Sequence, residues 1–188
     1  MSWINSPGAH DNCTGTIVNM ELVRVLSQLP RRRTIRVLFC NEEHTPWHSL
    51  TFAQAAKARG DNIVAVLNQD TLASKTAKEI AAGDRVFASK YSTNEGKPLA
   101  EYLVSLDEKY NFGLKCKVEK KIVNDDDGSF VKAGFPASVM NGGSGFDTYH
   151  LPTDVPEIVD LVNLQASARL VLAGILELDE GGPGVFRK

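Results

Sequence analysis

Four acidic residues and one histidine stand where a predicted strand ends or a turn begins. They are Asp11, Glu42, Glu43, Asp70 and His150. Carboxylate oxygens and imidazole nitrogens are ligands of catalytic Zn²⁺, whose open coordination position holds a water with a pKa lowered toward about 7. Hydrolysis also needs a carboxylate that does not bind the metal and takes the proton of that water. The five residues together indicate a zinc-dependent hydrolase.

The adjacent pair Glu42 and Glu43 suits this division of roles. Consecutive side chains of extended backbone point in opposite directions, so one can bind metal while the other faces a substrate. Pairs of glutamates are also common on solvated surfaces. The pair therefore gains its meaning from the residues around it.

Helical and strand patterns alternate along the chain. Helices are predicted at residues 17–29, 50–59, 98–110 and 155–178. Strands are predicted at residues 34–40, 63–67, 117–123 and 135–140. Loops are predicted at residues 124–128, which are acidic, and 142–145, which are glycine-rich, while residues 74–91 are weakly patterned. This alternation indicates a layered α/β domain, in which ligands bind beyond the carboxyl ends of the strands.

Composition bounds the function. The chain has 188 residues, 43% hydrophobic and 23% charged, which suits a single globular domain, here residues 1–180 with a flexible tail at 181–188. With 21 basic against 23 acidic residues, nucleic acid is not an expected partner. No apolar run approaches the roughly 20 residues that cross a bilayer, and no signal-peptide pattern opens the chain. We expect a soluble domain without a membrane partner.

Five segments, in this order, resemble the co-catalytic zinc aminopeptidase family. They are Pro-Gly-Ala-His-Asp-Asn-Cys-Thr-Gly at 7–15, Arg-Thr-Ile-Arg-Val-Leu-Phe with the glutamate pair at 33–43, Ile-Val-Ala-Val-Leu-Asn-Gln-Asp at 63–70, the Phe-x-x-Ala-Gly-x-Pro-Ala segment at 124–137, and Tyr-His-Leu-Pro-Thr-Asp at 149–154. That family includes bacterial leucyl aminopeptidases, with glutaminyl cyclases and the transferrin receptor ectodomain as relatives.

The resemblance implies a fold and a set of roles. The fold is a three-layer α/β domain with a mixed, largely parallel sheet between helices. Asp11 would bridge two zinc ions, Glu43 and His150 would complete one metal site, and Asp70 would belong to the other. Glu42 would be the general base. The expected reaction is hydrolysis of the N-terminal peptide bond of a peptide substrate.

The sequence departs from the family at its start. The family's second metal site uses a histidine in an upstream His-x-Asp-Ser segment, and residues 2–3 resemble the end of that segment. The resemblance thus implies a domain lacking its N-terminal part, with an exposed sheet edge suited to homo-oligomerisation. Asp11, Glu43 and His150 remain a complete set for one zinc, whereas Asp70 lacks its histidine partner.

Three interpretations therefore stay open. The first is an aminopeptidase, with Phe146 and Tyr149 as walls of its substrate pocket. The second is a single-zinc acyltransferase resembling the glutaminyl cyclases, and the third is a non-catalytic or truncated fragment. The compartment also stays open, because the family's members are often secreted or periplasmic.

Overall fold

A four-stranded mixed sheet lies at the centre of the computed structural model, which describes residues 5–40, 47–145 and 147–187. In chain order its strands are β1 (Val66–Gln69), β2 (Val86–Tyr91), β3 (Lys115–Lys120) and β4 (Ser138–Gly142). The described helices are α1 (Gly15–Leu26), α2 (His48–Ala58), α3 (Ala77–Ala81), α4 (Gly96–Tyr110), α5 (Asp125–Lys132) and α6 (Leu161–Gly181).

The strands lie in the order β1-β4-β2-β3. β1 is parallel to β4, β2 is parallel to β3, and the central pair β2 and β4 is antiparallel. Every residue of β4 is buried, as are the first five of β2, because helices cover both faces of these central strands. The mixed sheet expected from the sequence is confirmed.

Helices cover the sheet on both sides and make three layers. On one side α1, α4 and α6 enclose the larger core, where Leu99, Leu103 and Leu106 of α4 form one buried stripe at helical spacing. On the other side α2 and α5 enclose a smaller cluster, centred on Phe130 and Phe135. The expected three-layer α/β architecture is therefore present.

Helix α6 begins later than predicted. Asp160 caps it by accepting hydrogen bonds from the backbone N–H groups of Val162 and Asn163, both at 3.0 Å, whereas residues 156–158 form a separate 3₁₀ turn. Together with the turn that follows it, α6 is long and apolar enough to cross a membrane, but 44% of its most apolar window is buried inside the domain. Leu170 and Val171 of α6 are fully buried in the larger core.

Two other predictions were wrong. Residues 124–128 open α5 instead of forming a loop, and the three aspartates 125–127 lie in its first turn, where negative charge interacts favourably with the helix dipole. Residues 34–40 form no strand, because no described strand lies beside them to complete a hydrogen-bonded ladder.

The weakly patterned residues 74–91 contain α3 and the central strand β2. At the other end of the chain, where a flexible tail was expected, residues 182–185 form a 3₁₀ turn. Phe186, only 5% exposed, packs into the larger core. Burial of this one aromatic ring fixes the C-terminal segment against the domain.

Glu79 joins three elements on the side of the sheet that carries α3. Its side chain closes a capping box with Thr76, lies 2.9 Å from Lys117 Nζ of β3, and accepts a hydrogen bond from the Ser144 hydroxyl. Burial alone would raise the pKa of Glu79, but these hydrogen bonds outweigh it and lower the pKa to about 2. The ionised carboxylate therefore stabilises the fold.

We predict that Glu79→Gln lowers the free energy of unfolding at pH 7 by about 1–3 kcal/mol. Because the folded pKa of about 2 is below the usual 4.5, the stabilisation is complete above pH 4.5 and is lost as the pH falls toward 2. Urea unfolding between pH 7 and pH 2 should show a shallower acid decline for the variant. The exposed Glu95→Gln is the control, and equal pH slopes for wild type and Glu79→Gln would contradict the prediction.

Candidate metal centre

Asp11 lies in an irregular helical turn, Ala9–Thr14, that precedes α1. Its backbone leaves helical geometry, with φ −112° and ψ 88°, and the peptide bond that follows it is cis. The side chain is only 4% exposed. The turn therefore presents one buried carboxylate at the N-terminal side of α1.

The Asp154 carboxylate holds this turn in place. One of its oxygens accepts the His10 backbone N–H at 2.8 Å, and the other accepts the Asp11 backbone N–H at 3.1 Å. Its backbone carbonyl accepts the Ala9 N–H at 3.1 Å. Asp154 itself is fully buried, so three successive N–H groups of the turn are satisfied by one residue from the far end of the chain.

His150 reaches the same place from the loop before Asp154. Its Nε2 lies 3.0 Å from Asp11 Oδ2, and its backbone is left-handed with φ 59°. The ring of Tyr149, which is 43% exposed, stacks on the imidazole with centroids 3.6 Å apart. The structure thus brings together two predicted metal ligands, with the predicted pocket wall Tyr149 against one of them.

Asn12 joins the turn to the carboxyl end of β1. Its amide nitrogen donates to the Gln69 carbonyl at 2.7 Å, and its amide oxygen accepts the Gly15 N–H at 3.0 Å and the Thr71 N–H at 3.3 Å. Asp70 lies between Gln69 and Thr71 and donates its own N–H to the Asn141 carbonyl of β4 at 2.9 Å. The third described candidate ligand, Asp70, is therefore on the segment that Asn12 fastens.

Gly15 permits this close approach. A Cβ at this position would lie 2.2 Å from the Gln69 carbonyl oxygen, which is far inside any van der Waals contact. Only glycine lets the first residue of α1 pack directly on the end of β1. The glycine that ends the motif at 7–15 is thus a packing requirement.

Two buried basic side chains, His10 and Lys90, interact with Asp154 and Asp70 respectively. The imidazole of His10 lies 3.5 Å from the Asp154 carboxylate. Burial lowers the pKa of His10, although the Asp154 carboxylate acts to raise it, so the buried site disfavours the protonated imidazole. On β2, burial lowers the pKa of Lys90, while Glu119 and Asp70 act to raise it. Lys90 is 7% exposed, and it places a cationic side chain close to Asp70.

The remaining predicted site residues, Glu42, Glu43 and Phe146, lie outside the described residues. Among residues 5–40, 47–145 and 147–187, no three His, Cys, Asp or Glu side chains are grouped closely enough to hold a metal ion. Asp11 and His150 supply one carboxylate and one imidazole, the donor types that zinc takes in hydrolytic sites. The described residues therefore fit two of the three ligands of such a site.

Two positioning residues escaped the sequence analysis. Asp154 and Asn12 both lie inside segments that carried the family resemblance, and neither was given a role there. The only sequence signal for a role was that Asn12 directly follows Asp11 and that Asp154 lies four residues after His150. Side-chain hydrogen bonds to backbone groups 57 and more than 140 residues away leave no pattern in a single sequence.

The chain belongs to peptidase family M28, whose sequence profile matches residues 2–175. A probable zinc metalloprotease of Pyrenophora tritici-repentis (strain Pt-1C-BFP) is 24% identical over an alignment of 161 residues, which covers 71% of this chain and 33% of that protein. The domain is thus a member of a metallopeptidase family. It spans about a third of this curated relative.

Solved structures show the same fold. The LapA aminopeptidase of Legionella pneumophila aligns with a TM-score of 0.75 at 20% identity, over 92% of this chain and 48% of that one. The glutaminyl cyclase of Bacteroides thetaiotaomicron, bound to N-acetylhistamine, aligns with a TM-score of 0.60 at 15% identity, over 90% and 62%. These likenesses establish the α/β fold and agree with the family resemblance seen in the sequence.

We predict that Asp154→Ala destabilises the domain by about 1–3 kcal/mol for each of the two backbone N–H groups left unsatisfied in a buried setting. Thermal and urea unfolding would measure the loss. Glu157→Ala, which removes an exposed carboxylate three residues away, is the matched control and should change stability by less than about 0.5 kcal/mol. Equal stabilities of the two variants would show that Asp154 does not hold the turn.

Proposed function

We propose that the chain is a zinc-dependent exopeptidase domain of the aminopeptidase type, with zinc held by Asp11, His150 and Glu43. The observation that carries the proposal is the approach of His150 Nε2 to Asp11 Oδ2 at 3.0 Å in a family of metallopeptidases. A buried carboxylate and an imidazole with converging donor atoms are what a catalytic zinc site requires. Glu43 would supply the third ligand from outside the described residues.

A zinc ion in this site would lower the pKa of a water ligand and polarise the scissile carbonyl. The chain's own residues do the rest. Glu42 takes the proton of the attacking water on its carboxylate and returns it to the leaving amine. Asp154 keeps Asp11 fixed through the backbone of the turn, and Tyr149 and Phe146 form the walls against which the substrate side chain packs.

Asp70 is proposed as a ligand of a second metal ion. It follows β1 directly, and Asn12 ties that strand end to the residue next to Asp11. A shared carboxylate between two cations, about 3.5–4 Å apart, is the arrangement of two-metal hydrolases. Asp70 would need a further metal ligand to complete a second site. The site formed with Asp11 and His150 is therefore proposed as the main zinc site.

We predict that the purified chain binds zinc and that His150→Ala and Asp11→Asn each weaken its affinity at least tenfold. Isothermal titration with zinc, in a buffer without chelators, measures this. Asp70→Asn should leave the first, tighter binding event in place, and His48→Ala, at a histidine that is not proposed to bind zinc, serves as the control. Unchanged affinity in His150→Ala would refute the assignment, and absence of zinc binding by the wild type would favour a non-catalytic domain.

We predict that Glu42→Gln lowers kcat on an aminoacyl-nitroanilide by about 10²-fold or more, since general-base catalysis contributes roughly 10²–10⁴-fold. Zinc content should stay at the wild-type level, because Glu42 is proposed to bind no metal. Glu95→Gln, at an exposed position just before α4, should retain wild-type activity. Full activity of Glu42→Gln would rule out Glu42 as the base.

The second candidate function keeps the fold and changes the reaction. Asp11 and His150 are the two candidate ligands in contact among the described residues, and a single zinc ion held there would suit an acyltransferase that cyclises N-terminal glutamine. The nucleophile would then be the substrate's own amine and not water. A cyclisation assay on glutaminyl peptides, run beside the nitroanilide assay, separates the two activities by their products.

A further inference from the structure

Lys90 of β2 is a lysine held inside the domain. The residue is only 7% exposed, although it lies one position before the end of its strand. Lysines are almost never buried to this extent unless opposite charges accompany them. Burial lowers the pKa of Lys90, whereas the carboxylates of Glu119 and Asp70 act to raise it. The fold therefore keeps this amino group in the interior beside acidic side chains.

The strand register explains why Lys90 and Asp70 lie near each other. Lys90 pairs with Met140 of β4 and with Glu119 of β3, and Met140 pairs with Asn68 of β1. Directly paired residues carry their side chains on the same face of a sheet, so these four form one row across it. Asp70 follows Asn68 by two positions and lies on the same face, because side chains alternate along a strand.

A second lysine close to Lys90 is already compensated by other acids. Lys121, which follows β3, lies 2.7 Å from an oxygen of Asp125 and 2.9 Å from an oxygen of Asp127. Both aspartates belong to the first turn of α5, and Asp127 is fully buried. Two carboxylates thus balance the charge of Lys121. Lys90 is the other basic side chain of this group, and Asp70 is one of the carboxylates that act on it.

We propose that Lys90 is a fixed internal cation that weakens metal binding at Asp70, so that the candidate centre holds one zinc ion tightly. The proposal rests on the proposed zinc site of Asp11 and His150, and it names the residue that decides between one metal ion and two. A divalent ion bound by Asp70 and the ammonium group of Lys90 carry like charges. Their repulsion is strong in the interior, because water and salt screen buried charges poorly.

The same positive charge gives Asp70 a second role. In the metal-free chain the Lys90 ammonium compensates the Asp70 carboxylate, which would otherwise carry an unbalanced charge at the end of β1. A buried carboxylate without such compensation costs several kcal/mol. Asp70 can therefore stay ionised next to the zinc site without binding a metal ion, and its charge helps to hold the strand end in place.

The test is calorimetric titration of the whole chain with zinc, in the wild type and in Lys90→Met, which keeps the side-chain length and removes the charge. Lys90→Met should tighten the second, weaker binding event about tenfold or more, and it should change the first event less than about threefold. Lys90→Arg retains the charge and should keep the second event weak. Lys97→Met, at an exposed lysine of α4, is the matched control and should behave as the wild type does.

A second measurement needs no metal. Urea unfolding in EDTA of the wild type, Lys90→Met, Asp70→Asn and the double variant gives the coupling between the two side chains as a double-mutant cycle. Asp70→Asn should lower the folding equilibrium constant about threefold more in the wild type than in Lys90→Met, because only the wild type contains both charges. This cycle also detects a general loss of stability in Lys90→Met.

The remaining outcomes would overturn the proposal. An unchanged second event in Lys90→Met, or an equally tightened one in Lys90→Arg, would show that the charge of Lys90 does not control metal binding at Asp70. Two equally tight zinc ions in the wild type, or no coupling in the metal-free cycle, would overturn it as well. A normal first event in these samples would leave the proposed function standing, whereas a wild type that binds no zinc would refute both.

Discussion

The hydrogen bonds from the N–H groups of His10 and Asp11 to the Asp154 carboxylate are the constraint on which the candidate site depends. They join two segments more than 140 residues apart in the chain, and they do so in the interior, where Asp154 is fully buried. Buried carboxylates need such partners, because an unpaired charge in the interior costs several kcal/mol. The same residue lies four positions after His150, so one carboxylate sets the positions of both halves of the Asp11 and His150 pair.

The sheet is the second feature that positions the candidate site. Parallel strands bring their carboxyl ends to one edge, and β1 with β4 places Asp70 at that edge through its bond to Asn141. Asn12 then links the Asp11 turn to the strand end, and Gly15 lets the two backbones approach to a distance that no other residue would allow. Asp11 and Asp70 are therefore held by backbone hydrogen bonds to buried side chains and to the neighbouring strand.

Local hydrophobic patterns and the ordered motifs predicted several elements of the fold and of the candidate site. The amphipathic stripe of α4, the apolar run leading to Asp70, and the segments around Asp11 and His150 all appear in the structure. Strand β2 was not predicted, because its sequence, Val-Phe-Ala-Ser-Lys-Tyr, shows neither polar–apolar alternation nor a continuous apolar run. The strand is nevertheless buried on both faces, and its Ser and Lys side chains interrupt the apolar pattern that such burial usually gives. The aspartates of α5 were assigned to a loop because their charge was considered without the helix dipole that favours it.

The strand predicted at residues 34–40 is absent, and the reason is that local sequence alone does not determine strand pairing. Ile35, Val37 and Phe39 alternate as a strand should, yet a strand is a relation between chains, and its ladder requires a neighbour on the correct edge. Among the described residues there is no such neighbour, because a cavity of about 610 Å³ separates this run from β1. Asp11, in contrast, is held by the Asp154 carboxylate, which accepts its backbone N–H, and this contact needs no strand ladder. A motif that is fixed by one side chain thus keeps its place where a run that needs a neighbouring strand does not.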